Sequence, residues 1–60
     1  MKELDTVRLK KDYENFKAGT EGVIVLKHNE TLFEVEFTNK NGETITTLAI
    51  PANFLEPLVK

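Results

Sequence analysis

The 60-residue chain is predicted to form a small all-β domain of five short strands. Three observations favour this class. Polar and apolar residues alternate in the middle of the chain, an Asn-Gly pair follows that stretch, and two glycines three positions apart precede an aliphatic run. Alternation with a period of two is typical of strands with one buried face, and Asn-Gly is typical of a tight hairpin turn. We expect residues 1–60 to fold as a single domain.

The first half of the chain is predicted to contain two strands separated by a long loop. Residues 5–9 alternate in polarity and predict the first strand, whereas residues 10–17 are polar apart from two aromatic residues and predict a long loop or an irregular hairpin. Gly19 and Gly22 indicate a chain reversal into a second strand at residues 23–27, because glycine adopts backbone conformations that other residues avoid.

The clearest strand signal is Phe-Glu-Val-Glu-Phe at residues 33–37. Asn41-Gly42 follows and predicts a two-residue type I′ turn, which fixes the register of the returning fourth strand. The predicted pairs are Lys40 with Glu43, Phe37 with Thr46, Val35 with Leu48, and Phe33 with Ile50. Leu48 and Ile50 then share the buried face, as a core requires.

The same argument across a turn at residues 28–31 pairs the second strand with the third. The predicted pairs are Lys27 with Leu32, Leu26 with Phe33, and Ile24 with Val35. Ile24 and Leu26 then point inward, although a β-bulge would turn Val23 and Val25 inward instead.

Two prolines shape the end of the chain. Pro51 ends the fourth strand because proline has no backbone N–H to donate. Residues 52–54 predict one 3₁₀ turn, and residues 55–59 predict a short closing strand at a sheet edge, since it contains Pro57. The predicted core consists of Val7, Leu9, Ile24, Leu26, Phe33, Val35, Phe37, Leu48, Ile50, Leu55 and Leu58.

This order of elements is that of a small five-stranded SH3-like barrel. Its features are a long first loop, tight hairpins among strands two to four, and a 3₁₀ turn before the last strand. A five-stranded oligonucleotide-binding barrel is the alternative. That fold usually needs a longer chain with a helix between strands three and four, so sixty residues argue against it.

A pattern that covers most of the chain is formed by residues 4–9, 17–22, 33–37, 41–44 and 48–58. With its Asp-x-Val-x-Leu and Ala-Gly-x-x-Gly motifs, the chain resembles a family of small bacterial proteins known only as a domain of unknown function. The resemblance implies an SH3-like barrel without assigned activity, sometimes regarded as an accessory or antitoxin-like partner of a neighbouring protein. A looser similarity links the glycine-rich turn and the late Asn-Phe pair to small SH3-like subunits of photosynthetic complexes.

The residue inventory does not favour catalysis or a cofactor. The chain has no cysteine and no serine, and its single histidine, His28, is expected in an exposed turn. Nucleophilic catalysis needs a nucleophile, a base and an orienting acid together, whereas Glu30 and Thr31 are only turn neighbours of this histidine. Gly19 and Gly22 lack the Lys-Ser/Thr and the helix start of a phosphate-binding loop. We therefore expect a protein that is not an enzyme and holds neither cofactor nor metal.

The candidate binding surface consists of Tyr13, Phe16, Asn53 and Phe54. In an SH3-like barrel the long first loop and the 3₁₀ turn flank a surface groove, which these side chains would line. Alternatively, Phe16 and Phe54 close the two ends of a small barrel. Polyproline recognition is not expected, because the chain has no tryptophan and only one tyrosine.

Charge points to a protein partner more than to nucleic acid. The formal net charge is −2, and nucleic-acid binders usually carry a basic excess. Glu34 and Glu36 on the outer face are expected to be solvated or to form an acidic docking surface for a basic partner. The alternative function is weak nucleic-acid binding, as in other SH3-like modules, through Arg8, Lys10, Lys11 and Lys17.

Together these observations predict a non-catalytic protein-interaction or accessory module whose protein partner is unidentified. The chain has no run of eighteen apolar residues and no signal-like start. We therefore expect a cytoplasmic protein without membrane association. Its oligomeric state is left open by the sequence.

Overall fold

A computed structural model describes residues 1–39, 41 and 43–58 of the chain. Five strands form one antiparallel sheet in the order β4-β3-β2-β1-β5. The elements are β1 (Thr6–Leu9), β2 (Glu21–Asn29), β3 (Leu32–Thr38), β4 (Thr44–Pro51), a 3₁₀ turn (Ala52–Phe54) and β5 (Leu55–Pro57). The prediction of an all-β fold with five strands is confirmed. No ladder joins β4 to β5 in the described ranges, so the sheet is open and the closed barrel stays a prediction.

The core lies on one face of this sheet. Buried positions alternate with less buried ones along β1 and β3, as expected for strands with one covered face. Leu48 and Leu58, which were also predicted to belong to the core, are only half-buried. Among the described residues, the buried hydrophobic side chains all belong to the predicted core: Val7, Leu9, Ile24, Phe33, Val35, Phe37, Ile50 and Leu55.

The predicted register between β3 and β4 is confirmed along most of the ladder. The confirmed pairs are Phe37 with Thr46, Val35 with Leu48, and Phe33 with Ile50. Next to the turn the register shifts, and Thr38 lies opposite Thr44. The predicted pair of Lys40 with Glu43 and the type of the Asn41-Gly42 turn lie outside the described residues.

The prediction that Leu26 belongs to the core is wrong. Ile24 pairs with Val35 as predicted, but the register shifts after Ile24 and Leu26 then lies opposite Glu34. Paired residues share a face of the sheet, so Leu26 joins Glu34 on the outer face and is 46% exposed. The irregularity does not turn Val25 inward either, since that side chain is 40% exposed.

The far end of β2 also differs from the prediction. The strand continues to Asn29, so His28 lies in a strand rather than in a turn. A second register shift places Lys27 opposite Phe33 and Asn29 opposite Leu32. The predicted pair of Lys27 with Leu32 therefore does not form. Among the described residues, no helix has the length and hydropathy needed to cross a membrane.

Gly19, which precedes β2, and Gly22, which lies within it, have different structural roles. Gly19 has φ of +94°, a left-handed conformation that favours glycine, and its N–H donates to the Leu9 carbonyl at 2.8 Å. Gly22 is buried inside β2. A Cβ atom there would lie 2.8 Å from both the Glu36 carbonyl oxygen and a methyl carbon of Val35. Gly22 therefore permits a close approach between β2 and β3.

We predict that Gly22→Ala destabilises the domain by about 1–3 kcal/mol, because backbone must move to make room for the added methyl group. Glu21→Ala, at an exposed position of the same strand, is the control and should change stability by no more than about 0.5 kcal/mol. Urea unfolding followed by circular dichroism measures both. Equal unfolding midpoints for Gly22→Ala and the wild type would contradict the prediction.

Candidate functional site

The long loop after β1 folds into a small hairpin, which is one of the two forms predicted for residues 10–17. Tyr13 and Phe16 exchange two backbone hydrogen bonds, of 2.8 and 2.9 Å, across Glu14 and Asn15. Glu14 has φ of 52°, a conformation that is strained by on the order of 1 kcal/mol for a residue other than glycine. This tight turn sets the two aromatic residues Tyr13 and Phe16 opposite each other in the loop.

Tyr13 makes two contacts outside its hairpin, and two lysines of the same loop contact Phe54. Its ring meets the Phe54 ring edge to face, with centroids 5.1 Å apart and planes at 71°. Its hydroxyl donates to the Ala49 carbonyl oxygen at 3.1 Å, and nearby the Lys10 N–H donates to the Phe54 carbonyl at 2.7 Å. The Lys11 ammonium lies 4.7 Å from the centre of the Phe54 ring. The loop is thereby fastened to both β4 and the 3₁₀ turn.

Phe16 combines a packing role with an exposed position. It stacks on Phe37 of the core, with ring centroids 4.4 Å apart and planes at 19°, yet it remains half-exposed. It also lines an open groove of about 460 Å³ between the hairpin and β4. The groove is lined by Glu14, Asn15, Phe16, Ile45, Thr46 and Leu48. This position is compatible with either predicted role of Phe16, the closing of the core and the binding of a partner.

The structure does not gather all four predicted site residues around one groove. Tyr13 and Phe54 touch, and Phe16 is the hairpin partner of Tyr13. We call these three residues the aromatic cluster. Asn53 is exposed and borders a second open groove of about 500 Å³, formed by the β2–β3 turn and the start of the 3₁₀ turn.

One member of the predicted basic patch already has an acidic partner. Two guanidinium nitrogens of Arg8 bind the same Glu56 carboxylate oxygen, at 2.6 and 2.7 Å, across the β1–β5 ladder. Lys10, Lys11 and Lys17 are exposed. The pairing of Arg8 reduces the positive charge that this surface offers, and nucleic-acid binding stays a prediction.

Sequence reasoning missed a partner of Glu34. His28 Nε2 lies 2.9 Å from Glu34 Oε1 on the outer face of the sheet. The register of β3 against β4 offered Glu34 only Ala49, and the histidine reaches it from β2 instead. Within the described ranges, no group of three His, Cys, Asp or Glu residues is placed to hold a metal ion.

Fold and site together define a class: a small all-β domain that carries an aromatic cluster on one loop and one 3₁₀ turn. Residues 3–57 match the family model described as Domain of unknown function (DUF4926). Because the match covers nearly the whole chain, the protein belongs to this family, and the expected membership of a domain-of-unknown-function family is confirmed. No curated protein and no solved structure matches the chain.

We predict that Phe16→Ala lowers the free energy of unfolding by about 1–3 kcal/mol, since it removes the stack on Phe37 and opens the core. Asn53→Ala should change it by no more than about 0.5 kcal/mol, because Asn53 is exposed. Urea unfolding of both variants measures the difference. A Phe16→Ala variant as stable as Asn53→Ala would show that Phe16 is not needed to close the core.

Proposed function

We propose that this protein is a non-catalytic interaction module that binds a protein partner through the aromatic cluster and Asn53. The observation that carries the proposal is the Tyr13–Phe54 pair, which is held at the surface by ring contact and hydrogen bonds. Aromatic side chains are enriched at the centres of protein interfaces. Rings that are already fixed lose little conformational freedom on binding, which favours affinity.

The proposal includes an SH3-like barrel architecture. Its support is the order of elements, with a long loop after β1, a 3₁₀ turn between β4 and β5, and antiparallel pairing of β5 with β1. In that architecture the first loop and the 3₁₀ turn flank the binding surface. Tyr13 and Phe54 come from these two elements.

The proposed setting is cytoplasmic, with the module acting as an accessory or antitoxin-like partner of another protein. The sequence resemblance described above supports this setting, and the absence of serine and cysteine from the chain supports a role without catalysis. An acidic net charge favours a partner with basic surface.

Site-specific crosslinking tests the proposed surface. A photoreactive benzoylphenylalanine at position 53 should capture a protein in the native host, and the captured protein is then purified and titrated by calorimetry. We expect Tyr13→Ala and Phe54→Ala each to weaken its binding at least tenfold, in the range of interface hot spots. Thr38→Ala, an exposed change in β3, is the matched control and should leave affinity unchanged.

Circular dichroism and urea unfolding must show that each variant is folded at the titration temperature. Unchanged affinity for folded Tyr13→Ala and Phe54→Ala would overturn the site assignment. Binding of DNA or RNA that weakens steeply with salt, and that is lost in Lys10→Ala or Lys11→Ala, would support the nucleic-acid alternative instead.

A further inference from the structure

The two edges of the sheet are protected very differently. β5 has three residues and ends in Pro57, and short edge strands with proline resist pairing with other chains. β4 has eight residues, and its residues 44–50 include no charge, proline or glycine. An edge strand of this length and composition is a template for an added strand.

One hydrogen bond shows which backbone N–H and C=O groups of β4 point toward β3 and which point away from it. Ala52 N–H donates to the Thr31 carbonyl at 2.8 Å, and this pair continues the β3–β4 register by one step beyond Leu32 and Pro51, as a hydrogen-bonded position. Bonded and non-bonded positions alternate in an antiparallel ladder. Thr47 and Ala49, which lie opposite Glu36 and Glu34, therefore occupy non-bonded positions, and their N–H and C=O groups point away from β3.

Two further observations agree with this assignment of bonded and non-bonded positions along β4. Pro51, which has no N–H, also falls at a non-bonded position, where no donor to β3 is needed. The Tyr13 hydroxyl reaches the Ala49 carbonyl from outside the ladder. This bond occupies one lone pair of a single carbonyl, and the N–H and C=O of Thr47 and the N–H of Ala49 also face the edge.

The side chains beside this edge indicate the chemistry of an added strand. The groove along β4 is lined by Phe16, Ile45 and Leu48 among others, and Ile45 is 55% exposed. On the outer face, Glu34 lies opposite Ala49 and Glu36 lies opposite Thr47. Neighbouring strands are about 4.8 Å apart, so a long basic side chain on an added strand can reach either carboxylate across one short β4 residue.

We propose that an extended segment of a partner protein, with alternating apolar and basic side chains, adds to β4 as a sixth strand. This inference rests on the proposed function and specifies the partner's chemistry and binding mode. The apolar side chains enter the groove beside Phe16, and the basic ones meet Glu34 and Glu36. A second copy of this chain fits less well, because residues 44–50 bring no basic side chain to these glutamates.

The first test uses a defined probe, an eight-residue peptide of alternating valine and lysine with blocked ends. It is added to ¹⁵N-labelled protein, and amide hydrogen exchange is followed by NMR. We expect exchange at Thr47 and Ala49 to slow at least tenfold, while exchange at Leu48 and Ile50, which face β3, changes little. A matched valine–glutamate peptide should bind at least about fivefold more weakly, as expected for the loss of two cross-strand charge pairs.

Two variants separate edge pairing from other binding. Thr47→Lys places a positive charge beside the incoming lysines, and Ala49→Pro removes an outward N–H without removing a bond to β3. Both should weaken binding of the valine–lysine peptide at least fivefold. Ala18→Lys adds the same charge at an exposed loop position and should not weaken it. Urea unfolding confirms that each variant is folded.

Several outcomes would overturn the inference. One is unchanged exchange at Thr47 and Ala49 with saturating valine–lysine peptide, and another is equal binding of the two peptides. Slow exchange at these amides that depends on protein concentration, without peptide, would assign the edge to a second copy. If Thr47→Lys leaves the affinity of the crosslinked partner unchanged while Tyr13→Ala weakens it, the proposed function stands and edge pairing fails. If neither Thr47→Lys nor Tyr13→Ala changes the affinity of the crosslinked partner, both the proposed function and the edge-pairing inference fail.

Discussion

In the part of the chain that the structure describes, eight buried side chains on one face of a single sheet provide most of the core, and the other features of the structure follow from that constraint. The chain has no disulfide to limit the entropy of its unfolded state, so burial must offset the entropy lost on folding. All five strands contribute to one core, which requires the sheet to bend over its own face. Register shifts in β2 and the missing side chain of Gly22 permit that bending and the close approach of β3.

The sequence predicts the β3–β4 hairpin well because two independent signals agree there. The alternation of Phe33 to Phe37 identifies the buried face, and the Asn-Gly pair predicts the register that places Ile50 on the same face. For β2 there is no second, independent signal that tests the predicted register. Its residues 23–26 are all aliphatic, so the hydrophobic pattern does not show which of them point inward or whether the strand contains a register shift. The exposed position of Leu26 is decided by backbone geometry, which hydrophobicity does not reveal.

The candidate site is predictable only in part, for a related reason. Aromatic residues in a polar loop and after Pro51 indicate that Tyr13 and Phe54 belong to one surface, and the two rings do touch. The bond from Tyr13 to the Ala49 carbonyl is invisible in the sequence, because its acceptor is a backbone atom that any residue would supply. The tight turn at Glu14 gives no signal either, since the usual glycine is missing from that position.

The hairpin after β1 links the core, the aromatic cluster and the open edge. Phe16 rests on Phe37 in the core, while Tyr13, its hairpin partner, binds the backbone of β4. A movement of this hairpin therefore changes both the wall of the groove and the bonding of the edge strand. Phe54 contacts the same tyrosine, so binding of the proposed partner to the aromatic cluster also affects the position of the hairpin over β4. The proposed surface recognition and the proposed strand addition are thus coupled through one short turn.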